Sequence, residues 1–226
     1  MNSIIEQMLS QHESAALSDK KNSIKEVVQE IMLCGLSRAG FFRSAAFYGG
    51  TALRIFYGLD RFSEDLDFSL IAPDPDFRLD AYLSSLEKEL LSYGLKFQAE
   101  ARVKTFDSDI QSAFMKGNTR EHILICYADE RLARSIVGNE SIKVKFEVDT
   151  APPPYAGFEQ KYRLMPIPYE IKLYDMPSLF AGKLHAVICR SWKSRIKGRD
   201  LYDYVFYLSH QTPVNLKHLN ARLIDS

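Results

Sequence analysis

The run Tyr48-Gly49-Gly50-Thr51-Ala52-Leu53-Arg54-Ile55-Phe56-Tyr57-Gly58-Leu59-Asp60-Arg61-Phe62-Ser63-Glu64-Asp65-Leu66-Asp67-Phe68 decides how the rest of the chain is read. A double glycine follows the short apolar segment Ala45-Ala46-Phe47-Tyr48, which predicts a buried strand that Gly49-Gly50 breaks. Thr51 stands where it can cap a short helix over 52–57, and Gly58 with Asp60 ends that helix. From Asp65 the sequence alternates. Leu66, Phe68 and Leu70 fall on one strand face, and Asp65, Asp67 and Ser69 on the other.

That alternation sets Asp65 and Asp67 about 6.6 Å apart along one face. Like charges at neighbouring same-face positions repel, and aspartate is a poor strand former. Both costs make sense if a cation neutralises the pair, and two Mg²⁺ ions ~3.5–4 Å apart would fit such carboxylates. A solvated acidic face is the plain alternative. Residues 141–150 also alternate, with Ile142, Val144, Phe146 and Val148 opposite Lys143, Lys145, Glu147 and Asp149. Pairing the two strands brings Glu147 to the aspartates as a third oxygen donor, the ligand type Mg²⁺ requires. Lys143 and Asp149 read equally well as cross-strand salt pairs.

Gly49-Gly50-Thr51 lies between a strand and a helix, where backbone N–H groups can approach a phosphate closely. An ordinary tight turn is the alternative. It is no Walker loop, because Gly182-Lys183 is followed by Leu184.

Working outward, residues 3–17 and 21–39 read as helices flanking a sheet, with Gly40 as a stop. Residues 72–76 form a Pro/Asp turn, and a helix over 77–93 carries Leu79, Leu83, Leu86 and Leu90, with Gly94 beyond it. Strands are expected over 96–106, 121–127 and 141–150. Pro152-Pro153-Pro154 is an extended linker, and 163–174 is extended but interrupted at Pro166 and Pro168. Pro177 opens a helix to about Arg190, and a last helix covers 199–208.

Lys183 falls inside the arc of Leu179, Phe180, Leu184 and Val187 on a helical wheel, with Arg190 nearly in line. It either snorkels or points into a cleft at an anion. Lys193, Arg195, Lys197 and Arg199, beside Trp192, suit contacts to RNA phosphates and bases, or a solvated loop. Asp200 and Asp203 occupy a first helical turn, where acids complement the dipole.

Composition narrows the class. Lys+Arg and Asp+Glu are 29 each, so no global charge draws the protein to nucleic acid or a membrane. Cys34, Cys126 and Cys189 form neither a disulfide framework nor a zinc motif. No apolar run approaches the ~20 residues of a membrane span, and the first residues lack a signal peptide's pattern. A cytoplasmic monomer is expected.

Four motifs, in order, resemble the nucleotidyltransferase-like family that includes the AbiEii/AbiGii abortive-infection toxins and the MenT toxins of type IV toxin–antitoxin systems. They are Gly49-Gly50-Thr51 followed by Arg61-x-Ser63-x-Asp65-Leu66-Asp67; Lys145-Phe146-Glu147; Lys183-Leu184-x-Ala186 through Arg190; and Arg199-Asp200-Leu201-Tyr202-Asp203. The third acid is glutamate where many nucleotidyltransferases carry aspartate.

The resemblance implies an α+β fold: a polymerase-β-like core with a mixed sheet over 41–176, an N-terminal helical flank over 1–40 and a helical part over 177–226 completing the cleft. It implies transfer of a nucleotide from an NTP, dependent on Mg²⁺ or Mn²⁺, to an RNA acceptor (a tRNA 3′ end as in MenT-type members). A cognate antitoxin is implied as partner. Asp65, Asp67 and Glu147 would hold metal, with Lys183 and Asp200 completing the catalytic set. Gly49, Gly50, Thr51, Arg61, Ser63 and Lys183 would bind nucleotide, and Arg190, Lys193, Arg195, Lys197 and Arg199 the RNA. A phosphatase using the same acid pair is a poor fit, because Phe62-Ser63-Glu64 precedes Asp65 and Ser69 follows Asp67. A nucleotide-binding protein without turnover, or transfer to a protein or small molecule, is the remaining alternative.

Overall fold

The computed structural model describes residues 3–12, 17–102, 119–128, 142–189 and 198–225. Helices α1 (Ser3–Ser10) and α2 (Leu17–Arg38) lead into strand β1 (Ala45–Tyr48), helix α3 (Gly49–Tyr57) and strand β2 (Leu66–Leu70). Helix α4 (Asp80–Ser92) and strands β3 (Leu95–Arg102), β4 (Thr119–Ala128) and β5 (Ile142–Asp149) follow. The hairpin β6 (Phe158–Arg163) and β7 (Tyr169–Tyr174) then precedes helices α5 (Met176–Cys189), α6 (Gly198–Ser209) and α7 (Leu216–Asp225). The seven strands form one mixed sheet in the order β3-β4-β5-β2-β1-β7-β6. This mixed α/β architecture is the fold class the motifs imply.

Alternation builds two unlike faces on the central strands. Phe47, Phe68 and Phe146 point to one face, where the Phe68 and Phe146 rings stack at 4.5 Å and Phe47 lies 5.1 Å from Phe68. Helices α1, α2 and α4 cover that face and supply Ile5, Met8, Ile31, Met32, Leu86 and Leu90 to its core. Burying each such side chain is worth roughly 1.5–3 kcal/mol, so this side carries most of the packing. The other face is narrower in its apolar content. Ala46, Leu53, Leu59 and Tyr174 meet Leu179, Phe180 and Tyr207 from the C-terminal helices.

Register fixes what that second face displays. β1 and β2 are antiparallel with Tyr48 opposite Asp67, and β2 and β5 are parallel with Asp67 beside Glu147 and Ser69 beside Asp149. Paired residues share a face. Tyr48, Asp67 and Glu147 therefore stand in a row beneath the C-terminal helices.

The structure corrects several local expectations. α1 stops at Ser10, and α4 begins at Asp80 rather than at residue 77. The extended stretch over 163–174 is the end of β6, a connection with a cis Met165–Pro166 bond, and β7, which pairs back on β6. α7 lies beyond the last helix that periodicity indicates. Its signal is the cap: the Asn215 side-chain oxygen accepts from His218 N at 3.1 Å. Residues 103–106 of the expected strand lie outside the described residues.

Candidate active site

The site begins at a glycine that geometry demands. Gly49 opens α3 with φ of +82°, and a methyl there would run into the Asp67 carboxylate. Only glycine tolerates both the left-handed backbone and that approach. A Cβ on Gly50 would lie 2.8 Å from Ser63 Oγ and 2.9 Å from Arg61 Nη2, so the loop before β2 packs directly on the helix start. Buried Gln29 holds that loop by donating to the carbonyls of Ser63 (3.0 Å) and Glu64 (2.9 Å).

Thr51 does not cap the helix as expected. The helix starts three residues earlier, the cap position falls on Tyr48, and that residue makes no side-chain cap bond. Thr51 is fully buried inside the first turn, and its Oγ1 donates to the Asp65 carbonyl at 2.5 Å. It ties the helix to the acid-bearing loop.

The acids lie close enough to perturb one another. Burial pushes the Asp67 carboxyl up to about 7, helped by the negative charges of Glu147 and Asp65 and opposed by Lys145. Asp65 is raised too, by burial first, then Glu147, against the pull of Lys145 and Arg199. Glu147 is ion-paired to Lys145. Among the described residues no three acidic, histidine or cysteine groups form a ready-made metal cage. The donors nevertheless fit a hard divalent cation: all are carboxylate oxygens, and their mutual repulsion is the cost such an ion removes.

Lys183 points into the site rather than along the surface. Its Nζ lies 2.9 Å from Asp200 Oδ1 and 2.8 Å from Asp203 Oδ2. Arg61 is held by the same Asp203 through two bonds of 2.6 Å, from Nε to Oδ1 and from Nη2 to Oδ2. Asp203 is wholly buried and joins the loop before β2 to helices α5 and α6. Its role is the pairing of Arg61 and Lys183 as well as the helix dipole. The available signal was spacing, since Asp203 follows Asp200 by three residues and so shares its helix face.

Arg199 is exposed, and its charge reaches Asp65. Arg190, Lys193, Arg195 and Lys197 lie outside the described residues. A cavity of about 120 Å³ opens beside Gly49, lined also by Tyr48, Tyr174, Gly182, Lys183 and Arg222. Arg222 and its neighbour His218 belong to α7 and to none of the sequence motifs.

Solved structures share this mixed-sheet fold. A candidate nucleotidyltransferase from Helicobacter pylori aligns at a TM-score of 0.53 and 21% identity, covering 89% of this chain and 74% of its own. JHP933 from Helicobacter pylori aligns at 0.50 and 20% identity, covering 88% of this chain and 70% of its own. No curated protein gives a significant sequence match. The family model described as "Nucleotidyl transferase AbiEii toxin, Type IV TA system" matches residues 31–226. The chain belongs to this AbiEii family and is a nucleotidyltransferase of a type IV toxin–antitoxin kind. Among the described residues no helix is long and apolar enough to cross a membrane.

Proposed function

We propose that the protein transfers a nucleotide from an NTP to an RNA acceptor, a tRNA 3′ end foremost, with Mg²⁺ bound by Asp65, Asp67 and Glu147. The observation that carries this reading is the Asp67 carboxyl, held at about 7 by burial and by two neighbouring acids beside the glycine-led start of α3. Bound there, the metal would neutralise phosphate charge and lower the pKa of an attacking hydroxyl. Mn²⁺ satisfies the same oxygen donors.

The chain's own residues do the positioning. The backbone N–H groups of Gly49 and Gly50 face the end of the helix where an anion is favoured. Lys183 supplies the cation for the triphosphate, and Asp200 and Asp203 aim it. Arg61, bound to Asp203, and Ser63 hold the loop that places Asp65. Glu147 lies beside Asp67 and can accept the proton of the acceptor hydroxyl. Arg199, with Arg190, Lys193, Arg195 and Lys197, would meet the RNA. In this division residues 41–176 bind nucleotide and metal, 177–226 close the cleft, and 1–40 brace the sheet. Phosphoryl transfer needs little more than positioning and charge neutralisation, which suits a site with no nucleophile pair. Membership of the family supports a role as a phage-defence toxin opposed by a cognate antitoxin.

The experiment is incorporation of labelled NTPs into total RNA with Mg²⁺, by wild type and by Asp67→Ala. Label is expected at RNA 3′ ends with wild type only. Equal label with both proteins would remove the assignment.

A further inference from the structure

Helix α7 brings to the site a cation that the motifs do not include. Arg222 is half-buried and shares the cavity with Gly49, Tyr48 and Lys183. Its situation differs from that of the other sheltered cations. Arg54, Arg61, Arg163, Lys145 and Lys183 each meet a carboxylate. Arg222 has no carboxylate within ion-pair distance among the described residues. Its charge reaches Asp149, its side chain hydrogen-bonds the Tyr174 hydroxyl, and its Nε donates to His218 Nε2 at 2.9 Å.

His218 is built to receive that bond. It is fully buried, and its Nδ1 lies 2.8 Å from the Pro154 carbonyl oxygen. An acceptor at Nδ1 puts the proton there and leaves the Nε2 lone pair for Arg222. Burial holds the imidazole down at about 4, against the upward pull of Pro154, so the ring stays neutral at physiological pH. The helix carrying both residues is pinned in turn. Asn215 caps it and donates to the Tyr155 carbonyl (2.8 Å) and to Ser178 Oγ (3.0 Å). The proline linker after β5, the buried histidine and the arginine thus form one chain of hydrogen bonds. It fixes the Nε edge of the guanidinium.

We propose that Arg222 is a phosphate-binding residue of this site, with His218 as its positioning residue, and that the phosphate belongs to the triphosphate of the NTP. The inference rests on the nucleotidyltransfer reading above. A sheltered guanidinium without a carboxylate is short of a counter-ion. A guanidinium is a planar fork of donors that matches phosphate oxygens better than any single-point donor. The same cavity holds the two other features assigned to the triphosphate, the Gly49 backbone and Lys183.

The test titrates the full chain, with Mg²⁺, against a non-hydrolysable NTP analogue, and measures KM separately for NTP and RNA. Arg222→Gln should weaken analogue binding and raise the KM for NTP by roughly 10- to 100-fold, the size of a lost hydrogen bond to a charged group, with the KM for RNA unchanged. Arg222→Lys should recover part of the loss, and it carries the test if thermal melting shows Arg222→Gln unfolded. His218→Gln should weaken binding severalfold when Arg222 is present and not at all in the Arg222→Gln background. A merely structural histidine would cost the same in both. Equal analogue affinity of wild type and Arg222→Gln overturns the inference while leaving the proposed function standing. A rise in the KM for RNA alone moves the ligand to the acceptor and overturns it too. Failure of wild type to bind any NTP overturns both.

Discussion

Two groups of carboxylates lie under the C-terminal helices, and the protein treats them in opposite ways. Asp200 and Asp203 are saturated: Lys183 contacts both, and Arg61 binds Asp203 through two bonds. Asp65, Asp67 and Glu147 share mainly Lys145, and burial together with the charge of Glu147 raises both aspartates. The first group is complete without a ligand and holds the frame. In the proposed function the second is completed by a bound cation. Holding charge in a low-dielectric place is costly unless it is paired, so the imbalance marks where a ligand belongs.

The comparison breaks most visibly at Asp67. Asp67→Asn should cost roughly 10³-fold in nucleotide transfer, the scale of several kcal/mol of lost charge stabilisation. Stability should move the other way. The folded carboxyl, at about 7, sits above its ordinary value of 3.8. Its stabilising contribution is therefore full below pH 4 and is lost as pH rises through 7. Without metal at pH 8, Asp67→Asn should melt at a higher temperature than wild type. The gap should close at pH 4, or when Mg²⁺ is added to wild type. Thermal melts at the two pH values with EDTA check this, and a variant less stable than wild type at pH 8 would count against the unbalanced-charge account.

The balanced group predicts the reverse. Asp203→Asn leaves Arg61 and Lys183 in a sheltered place short of a counter-charge, and breaking such a buried pair costs about 3–5 kcal/mol. The loss should appear in urea unfolding with or without Mg²⁺, since no cation takes the place of this carboxylate. Activity should fall mainly through the unfolded fraction and a displaced Lys183. Full stability in Asp203→Asn would show that the two groups are not distinct in kind.

Much of this was legible in the residues, for physical reasons that differ from place to place. Period-two alternation located β2 and β5, and with them the face that carries Asp67 and Glu147, because register leaves a strand residue only two directions. The arc of apolar residues around Lys183 leaves it either snorkelling or aimed into a cleft at an anion, and the structure pairs it with Asp200 and Asp203. What sequence could not supply were partnerships across long separations. Arg61 and Asp203 are 142 residues apart, and Pro154, His218 and Arg222 meet through a linker and a helix that have no shared motif. α7 gives no such packing signal, because the buried side chain it contributes is His218, while Leu216, Leu223 and Ile224 are exposed.

Thr51 gives the smallest and sharpest contrast between the two ways of reading the chain. The motif reads it as a phosphate contact at a helix cap. The structure buries it and spends its hydroxyl on the Asp65 carbonyl at 2.5 Å. Thr51→Val keeps the shape and removes that bond, so stability should fall by about 1 kcal/mol, with some further cost for the carbonyl left unsatisfied. If the hydroxyl served the nucleotide directly, the KM for NTP would rise sharply and stability would hardly move. If it serves Asp65, the KM for NTP should stay near that of wild type while the Mg²⁺ requirement rises, because the carbonyl it restrains belongs to an acid assigned to the metal. Measuring half-saturation for NTP and for Mg²⁺ in the same preparation separates the two. A Mg²⁺ requirement unchanged by Thr51→Val would place the threonine with the saturated group, as framework alone.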